Sequence, residues 1–266
     1  MNRQLVGAMI LALLFAGVVS AEESAEELAK KLSNPVSSLI SVPFQLNYDD
    51  NFGADDGGHK LFLNVQPVIP ITLNENWNMI SRTIVPFVAQ EDLFMGAGSQ
   101  SGLSDIVQSL FFSPSAPTKG GLIWGVGPVL LLPTGSDTLL TTGKWGVGPT
   151  AVVLKQAGPT TYGALVNHIE SVTGKDSRAD VSATFLQPFW SRTTPKVVTY
   201  SVNTEMTYDW ESEDWSIPVN ANISKLMKWG KQRVQVGGGI RYWVESPSSG
   251  PEGLGLRFQI TLLFPK

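Results

Sequence analysis

In Leu254–Phe264 every second residue is apolar. Leu254, Leu256, Phe258, Ile260, Leu262 and Phe264 alternate with Gly255, Arg257, Gln259, Thr261 and Leu263. A period of two puts the two sets on opposite faces of a β-strand. The first such segment behaves the same way: Ile40, Val42, Phe44, Leu46 and Tyr48 alternate with Ser41, Pro43, Gln45 and Asn47. Between them lie ten further candidates, at 60–72, 77–88, 103–113, 121–133, 144–155, 161–171, 180–191, 197–209, 214–226 and 231–244. Twelve strands of this length suit a tilted crossing of a bilayer. The connections alternate as well. Those after odd-numbered strands (49–59, 89–102, 134–143, 172–179, 210–213, 245–253) are mostly long, and those after even-numbered strands (73–76, 114–120, 156–160, 192–196, 227–230) are short. Long loops at one rim and short turns at the other mark an outer-membrane barrel. An antiparallel sandwich can also have uneven loops, so a soluble periplasmic binding protein stays open as an alternative.

The bulk composition points the same way. Charged residues make up 16% of the chain, against about a quarter in soluble domains. The longest apolar run after the N-terminus, Leu122–Pro133, is interrupted by two Gly and two Pro, which rules out a spanning helix. Residues 1–21 (MNRQLVGAMILALLFAGVVSA) combine a basic start, an apolar core and a small-residue cleavage site, so a cleaved signal peptide is expected there. Residues 22–35 then form a short periplasmic helix and linker, and 36–266 the barrel. In the helix Ala25, Leu28, Ala29 and Leu32 share a face, with acids early and Lys30 and Lys31 late. Its position makes it a candidate plug for the periplasmic mouth. With no Cys in the chain, lipid anchoring at a cleavage-site cysteine and disulfides are excluded. The acidic balance, 23 acidic side chains against 19 basic, argues against a nucleic-acid partner. The sequence sets no oligomeric state.

Tryptophan placement sharpens the membrane reading. Trp77, Trp124, Trp190 and Trp229 fall at the short-turn rim, and Trp145, Trp210, Trp215 and Trp243 at the long-loop rim. Indole rings favour the membrane–water boundary, so two girdles are expected. The string WGVGP occurs twice, at Trp124–Pro128 and Trp145–Pro149. A phosphate-binding glycine loop would need a strand-to-helix turn. These glycines instead sit inside strand-like runs, which predicts the same rim device at opposite ends, with Gly125, Gly127, Gly146 and Gly148 turned inward to leave room in the lumen. Against the barrel stand eight prolines inside the proposed strands: Pro43, Pro67, Pro70, Pro86, Pro128, Pro149, Pro188 and Pro218. Each removes a ladder donor, so bulges or displaced strand ends are expected.

Polar residues on the predicted inner faces are Arg82, Asp105, Asn203, Glu205, Arg233, Arg241 and Arg257. Charge toward lipid costs a few kcal/mol at the midplane, which favours these as pore-lining groups, with Arg241 and Arg257 close across the last two strands. The other outcome is a filled lumen tied by salt bridges. Twelve strands enclose more than the filled core of eight, which favours a cavity. No catalytic residue, metal ligand or cofactor is assigned. His168 shares a strand face with Glu170 and could be half of a membrane-embedded hydrolytic site, but no G-x-S-x-G or H-E-x-x-H motif accompanies it. His59 is expected as a solvated loop residue.

Four stretches, NPVSSLISVPFQLNYDDNFG, GLSDIVQSLFFSP, TFLQPFWSRTTPKVVTYSVNTEMTYDW and GIRYWVESPSSGPEGLGLRFQITLLF, resemble a bacterial family of outer-membrane transporters of the "MetA pathway of phenol degradation" type, some of which carry the label neuromedin U. The resemblance runs from about Asn34 to Phe264. It implies an all-β transmembrane antiparallel barrel in the cell outer membrane, surrounded by its lipid, and transport of small, hydrophobic or aromatic molecules. It carries no catalytic residue over.

Overall fold

A computed structural model describes residues 24–265. The expected signal peptide, with Glu22 and Glu23, lies outside the described residues. A single helix, α1 (Ala25–Leu32), precedes fifteen strand segments: β1 (Ile40–Phe52), β2 (Gly58–Val65), β3 (Val68–Thr72), β4 (Trp77–Glu91), β5 (Ser99–Leu103), β6 (Ile106–Pro114), β7 (Leu122–Leu132), β8 (Lys144–Ala157), β9 (Thr160–Gly174), β10 (Ser182–Thr193), β11 (Val198–Thr204), β12 (Met206–Asp209), β13 (Asp214–Trp229), β14 (Gln232–Glu245) and β15 (Gly253–Phe264). The pairs β2/β3, β5/β6 and β11/β12 are each one interrupted strand. The twelve resulting strands pair antiparallel with their neighbours in sequence, and β1 closes the ring on β15 from Ile40↔Phe264 to Tyr48↔Leu256. Closure leaves no edge, as backbone groups in hydrocarbon require. No helix among the described residues is long and apolar enough to cross a membrane.

Polarity is inverted relative to a soluble sandwich. Asn47, Asp49, Asn220 and Thr261 are buried, while Leu254, Leu256, Phe258, Tyr242 and Val244 are exposed on the outer surface. A sandwich would bury the second set and solvate the first. The outward face of the strands is therefore the apolar one, while the interior is polar along β1, β13 and β15 and apolar around Ile80, Phe111, Leu154 and Leu165.

The prolines account for the interruptions. Gln66, Ser104 and Glu205 stand at the three strand breaks. Each donates its backbone N–H to a proline carbonyl on a neighbouring strand: Gln66 to Pro43 at 2.8 Å, Ser104 to Pro86 at 2.9 Å, Glu205 to Pro218 at 3.2 Å. Proline returns no N–H, so the ladder opens there. The opposing strand bends, and β13 carries a register shift at Ile217/Pro218.

Pro128 and Pro149 face one another across β7 and β8. Each would owe a donor to the strand on its other side, at β6 and β9, and the regular pairing lapses at both places. There Gly127 and Gly148 allow close approach. An added Cβ would lie 1.9 Å from the Leu110 carbonyl oxygen and 1.7 Å from that of His168. The repeated WGVGP is thus one device used twice in facing strands, with Trp at opposite rims and Gly-Pro at a crossing point. The four glycines do face inward, but they do not open the lumen. Neighbours fill the space, as Phe111 and Val36 do at Gly125.

Two strand ends differ from the sequence expectation. β1 continues to Phe52 and β4 to Glu91, so Asp49, expected in a loop, lies in a strand and faces inward. His59 likewise stands in β2, 3.8 Å from Glu91.

Helix α1 starts with a capping box: Ser24 Oγ accepts from Glu27 N at 3.1 Å, and Ser24 N donates to Glu27 Oε2 at 3.0 Å. Its buried face, Leu28 and Ala29, packs on Leu39, Leu226 and Leu263 at the short-turn end. Val36 then enters a cluster with Ile80, Phe111, Val152, Leu154 and Leu165. Gln156 Nε2 donates to the Lys30 carbonyl at 2.9 Å.

Candidate functional site

The inner faces of the strands enclose a cavity of about 410 Å³. Its floor is the segment from Lys31 to Ser37. Its walls are polar on the β1–β4 and β11–β15 side (Gln45, Gln66, Arg82, Asn203, Arg257, Gln259) and largely apolar opposite (Leu165, Phe185 and Phe189, with Gln187 between the two phenylalanines), with Val68 and Ile84 between. Toward the long-loop end it is capped by a charged layer.

Glu205 organises that layer. Its position at a strand break frees its carboxylate to reach two guanidiniums. Arg257 Nη1 donates to Oε1 at 3.0 Å and Arg257 Nη2 to Oε2 at 2.8 Å, a bidentate pair; Arg241 Nη1 donates to Oε2 at 3.0 Å. Arg257 Nε also donates to Asn47 Oδ1 at 2.7 Å. Arg241 Nε lies 3.3 Å from Asp49 Oδ1, and Trp243 Nε1 donates to the same oxygen at 3.1 Å. Arg241 Cζ stacks 4.6 Å from the Trp243 ring centroid. Arg82 Nη2 donates to Gln66 Oε1 at 3.1 Å, and Gln66 Nε2 to Gln45 Oε1 at 2.6 Å. Asn220 Nδ2 donates to Asn203 Oδ1 at 2.8 Å.

Of the expected pore-lining set, Arg82, Asn203, Glu205, Arg241 and Arg257 come together here. Arg233 stands apart at the short-turn end, beside Leu263 in the ladder. Asp105 is inward but anchors a loop: its carboxylate accepts from Thr141 Oγ1 (2.6 Å), Thr142 N (2.6 Å), Thr142 Oγ1 (2.7 Å) and Gly135 N (3.1 Å). Those bonds pin segment 133–143 at the long-loop rim, where Gln90 Nε2 reaches the Leu139 carbonyl at 3.5 Å. Arg178 holds the same segment from the next loop, donating to the carbonyls of Thr141 and Thr142. Sequence reasoning missed Gln45, Asn47, Asp49, Lys60 and Gln66. The alternation in the first strand pointed to Gln45 and Asn47; nothing local pointed to Asp49.

Trp77, Trp124, Trp190 and Trp229 stand toward the short-turn ends of their strands, Trp145, Trp210, Trp215 and Trp243 toward the long-loop ends, and Trp77 meets Trp124 edge-on at 5.8 Å. Trp77, Trp145, Trp190, Trp210, Trp215 and Trp229 are exposed on the outer surface. Trp243 differs from the girdle expectation. It turns inward because Asp49 needs a donor and Arg241 a stacking surface.

His168 and Glu170 do approach each other, Nε2 to Oε2 at 3.3 Å. They lie on the outer face of β9 near the long-loop rim, away from the cavity. Thr184 Oγ1 is 2.9 Å from His168 Nδ1 and accepts from Trp210 Nε1 at 2.9 Å. At the same rim Lys144 Nζ donates to Asp180 Oδ1 at 2.8 Å. That hydrogen bond, with a second from Ser171, holds the Asp180 carboxyl below the usual carboxylate range. Among the described residues no group of three His, Asp or Glu side chains is spaced for a metal.

No family model and no curated protein matches the chain. Solved structures do. An outer-membrane channel from Pseudomonas putida F1 aligns with a TM-score of 0.64 at 15% identity, over 85% of this chain and 94% of that one. Outer-membrane phospholipase A from Escherichia coli aligns with a TM-score of 0.50 at 9% identity, over 86% of this chain and 99% of that one. At such identities the likeness is one of fold. The chain has the fold of the outer-membrane β-barrels, closed by twelve antiparallel strands.

Proposed function

We propose that this protein is a passive outer-membrane channel for small molecules, with the N-terminal segment as a gate at its inner mouth. The observation that carries this reading is a cavity with one polar and one largely apolar wall inside a closed barrel whose outer surface is apolar. The Pseudomonas neighbour, an outer-membrane channel, supports the same direction. The wall of Leu165, Phe185 and Phe189 suits solutes with a hydrophobic or aromatic body, in keeping with the resemblance to the phenol-type transporters. Proteoliposome swelling tests it. Vesicles holding the protein should admit arabinose faster than protein-free vesicles and discriminate against larger sugars; equal rates would refute a channel.

A second reading, a membrane-embedded hydrolase, draws on the directed chain Trp210–Thr184–His168–Glu170 at the outer rim. There His168 would take the Thr184 proton as general base. Ester hydrolysis in mixed micelles that disappears in His168→Ala would favour it; no hydrolysis above background would remove it.

A further inference from the structure

We infer that the cavity is selective for small organic anions, a carboxylate carried on an apolar body, and that Arg82 is the group that receives the carboxylate. The inference rests on the cavity being the solute site and names the solute's chemistry.

Charge balance is the first ground. The central inward layer holds four cations, Lys60, Arg82, Arg241 and Arg257, against two carboxylates, Asp49 and Glu205. Both Glu205 oxygens are engaged by Arg241 and Arg257, and Asp49 Oδ1 is engaged by Arg241 and Trp243. The carboxylates are therefore neutralised from within the protein, and the excess charge is positive. In a low-dielectric wall such an excess attracts anions and repels cations.

Geometry places that excess where a solute can meet it. Arg82 lines the cavity, and its Nη2 donates to the neutral amide of Gln66 at 3.1 Å. No carboxylate forms an ion pair with it among the described residues. A guanidinium has five donors in a planar fork that matches a carboxylate, and one amide oxygen uses only part of that fork. Across the cavity stand Leu165, Phe185 and Phe189. A solute with its carboxylate on Arg82 would lay its apolar body on that wall.

Binding to the detergent-solubilised full chain, measured calorimetrically with benzoate, benzyl alcohol and benzylammonium, tests the inference. Benzoate should bind about tenfold or more tightly than either of the others, the increment of a charge-assisted hydrogen bond. Arg82→Gln should bring benzoate down to the level of benzyl alcohol, while Arg192→Gln, an exposed arginine outside the cavity, should leave it unchanged. Retained heat-modifiable mobility shows that each variant is folded. Equal affinity for the three probes, preference for benzylammonium, or benzoate binding indifferent to Arg82→Gln would each overturn the anion site. Benzoate binding without vesicle permeability would remove the channel and keep the site; permeability without benzoate preference would do the reverse.

Discussion

Glu205 is a single carboxylate in contact with two guanidiniums, and its side chain is only 20% exposed. Removing its charge leaves Arg241 and Arg257 with Asp49 as their remaining ion-pair partner, at Arg241. Breaking a buried pair from one side costs about 3–5 kcal/mol. Glu205→Gln, which keeps the shape, should therefore lower the guanidinium midpoint of unfolding in micelles; an unchanged midpoint would show that the layer is not held by charge. Asp180 makes a pH prediction. Its carboxyl is held below the ordinary Asp value of about 3.9 in the folded state. The Lys144 tie is thus fully present above that value and is lost as pH falls below it. Amide protection in loop 175–181, relative to the intrinsic exchange rate at each pH, should fall below about pH 3.9, and Lys144→Met should lower it at neutral pH to the acid level. Protection indifferent to pH in the wild type would contradict this. The proximity of Arg241 and Arg257 was legible from their places on adjacent strands. Their bridge was not, because Glu205 reaches them from a strand break set by a proline thirteen residues away, at Pro218.

At the scale of elements, the twelve strands were legible because lipid-facing alternation is periodic and local. The exact ends were not. Asp49 looks like a loop residue until Arg241, its ion-pair partner, and Trp243, which donates to it, are known inside the barrel. Prolines in the strands read as an objection to the barrel. In the fold, those at 43, 86 and 218 mark the breaks at Gln66, Ser104 and Glu205, and those at 128 and 149 require Gly127 and Gly148 beside them. Gly148→Ala puts a methyl group 1.7 Å from the His168 carbonyl oxygen, where the backbone must move; overpacking of this kind costs about 1–3 kcal/mol. The variant should show a lower temperature for loss of the compact band in gels, and an unaltered temperature would mean that β8 and β9 can separate freely at that point. Helix α1 was legible from its shared apolar face and from its acids early and lysines late; the capping box was not read there. That it seats on Leu226 and Leu263 was only a positional guess in the sequence. Ser24→Ala removes the capping box and should cost about 1 kcal/mol of helix stability, seen as faster amide exchange in 25–32 with the barrel unaffected; unchanged exchange would mean that burial alone fixes the helix.

For the whole molecule the telling property is inversion, with buried asparagines and exposed leucines on one closed sheet. It follows from the solvent: where the outside is hydrocarbon, every backbone group must pair within the wall and the polar side chains must turn to the lumen. Residues 31–37 line the cavity at one end and segment 133–143 is tied to Asp105 at the other, so the account turns on whether solute passes between them. The direct measurement is ion conductance in planar bilayers, comparing the wild type with a variant lacking residues 24–37. The account predicts small steps for the wild type and several-fold larger ones when the floor is removed. Steps of equal size would mean that the N-terminal segment is no gate, and the absence of steps in both folded proteins would contradict a channel.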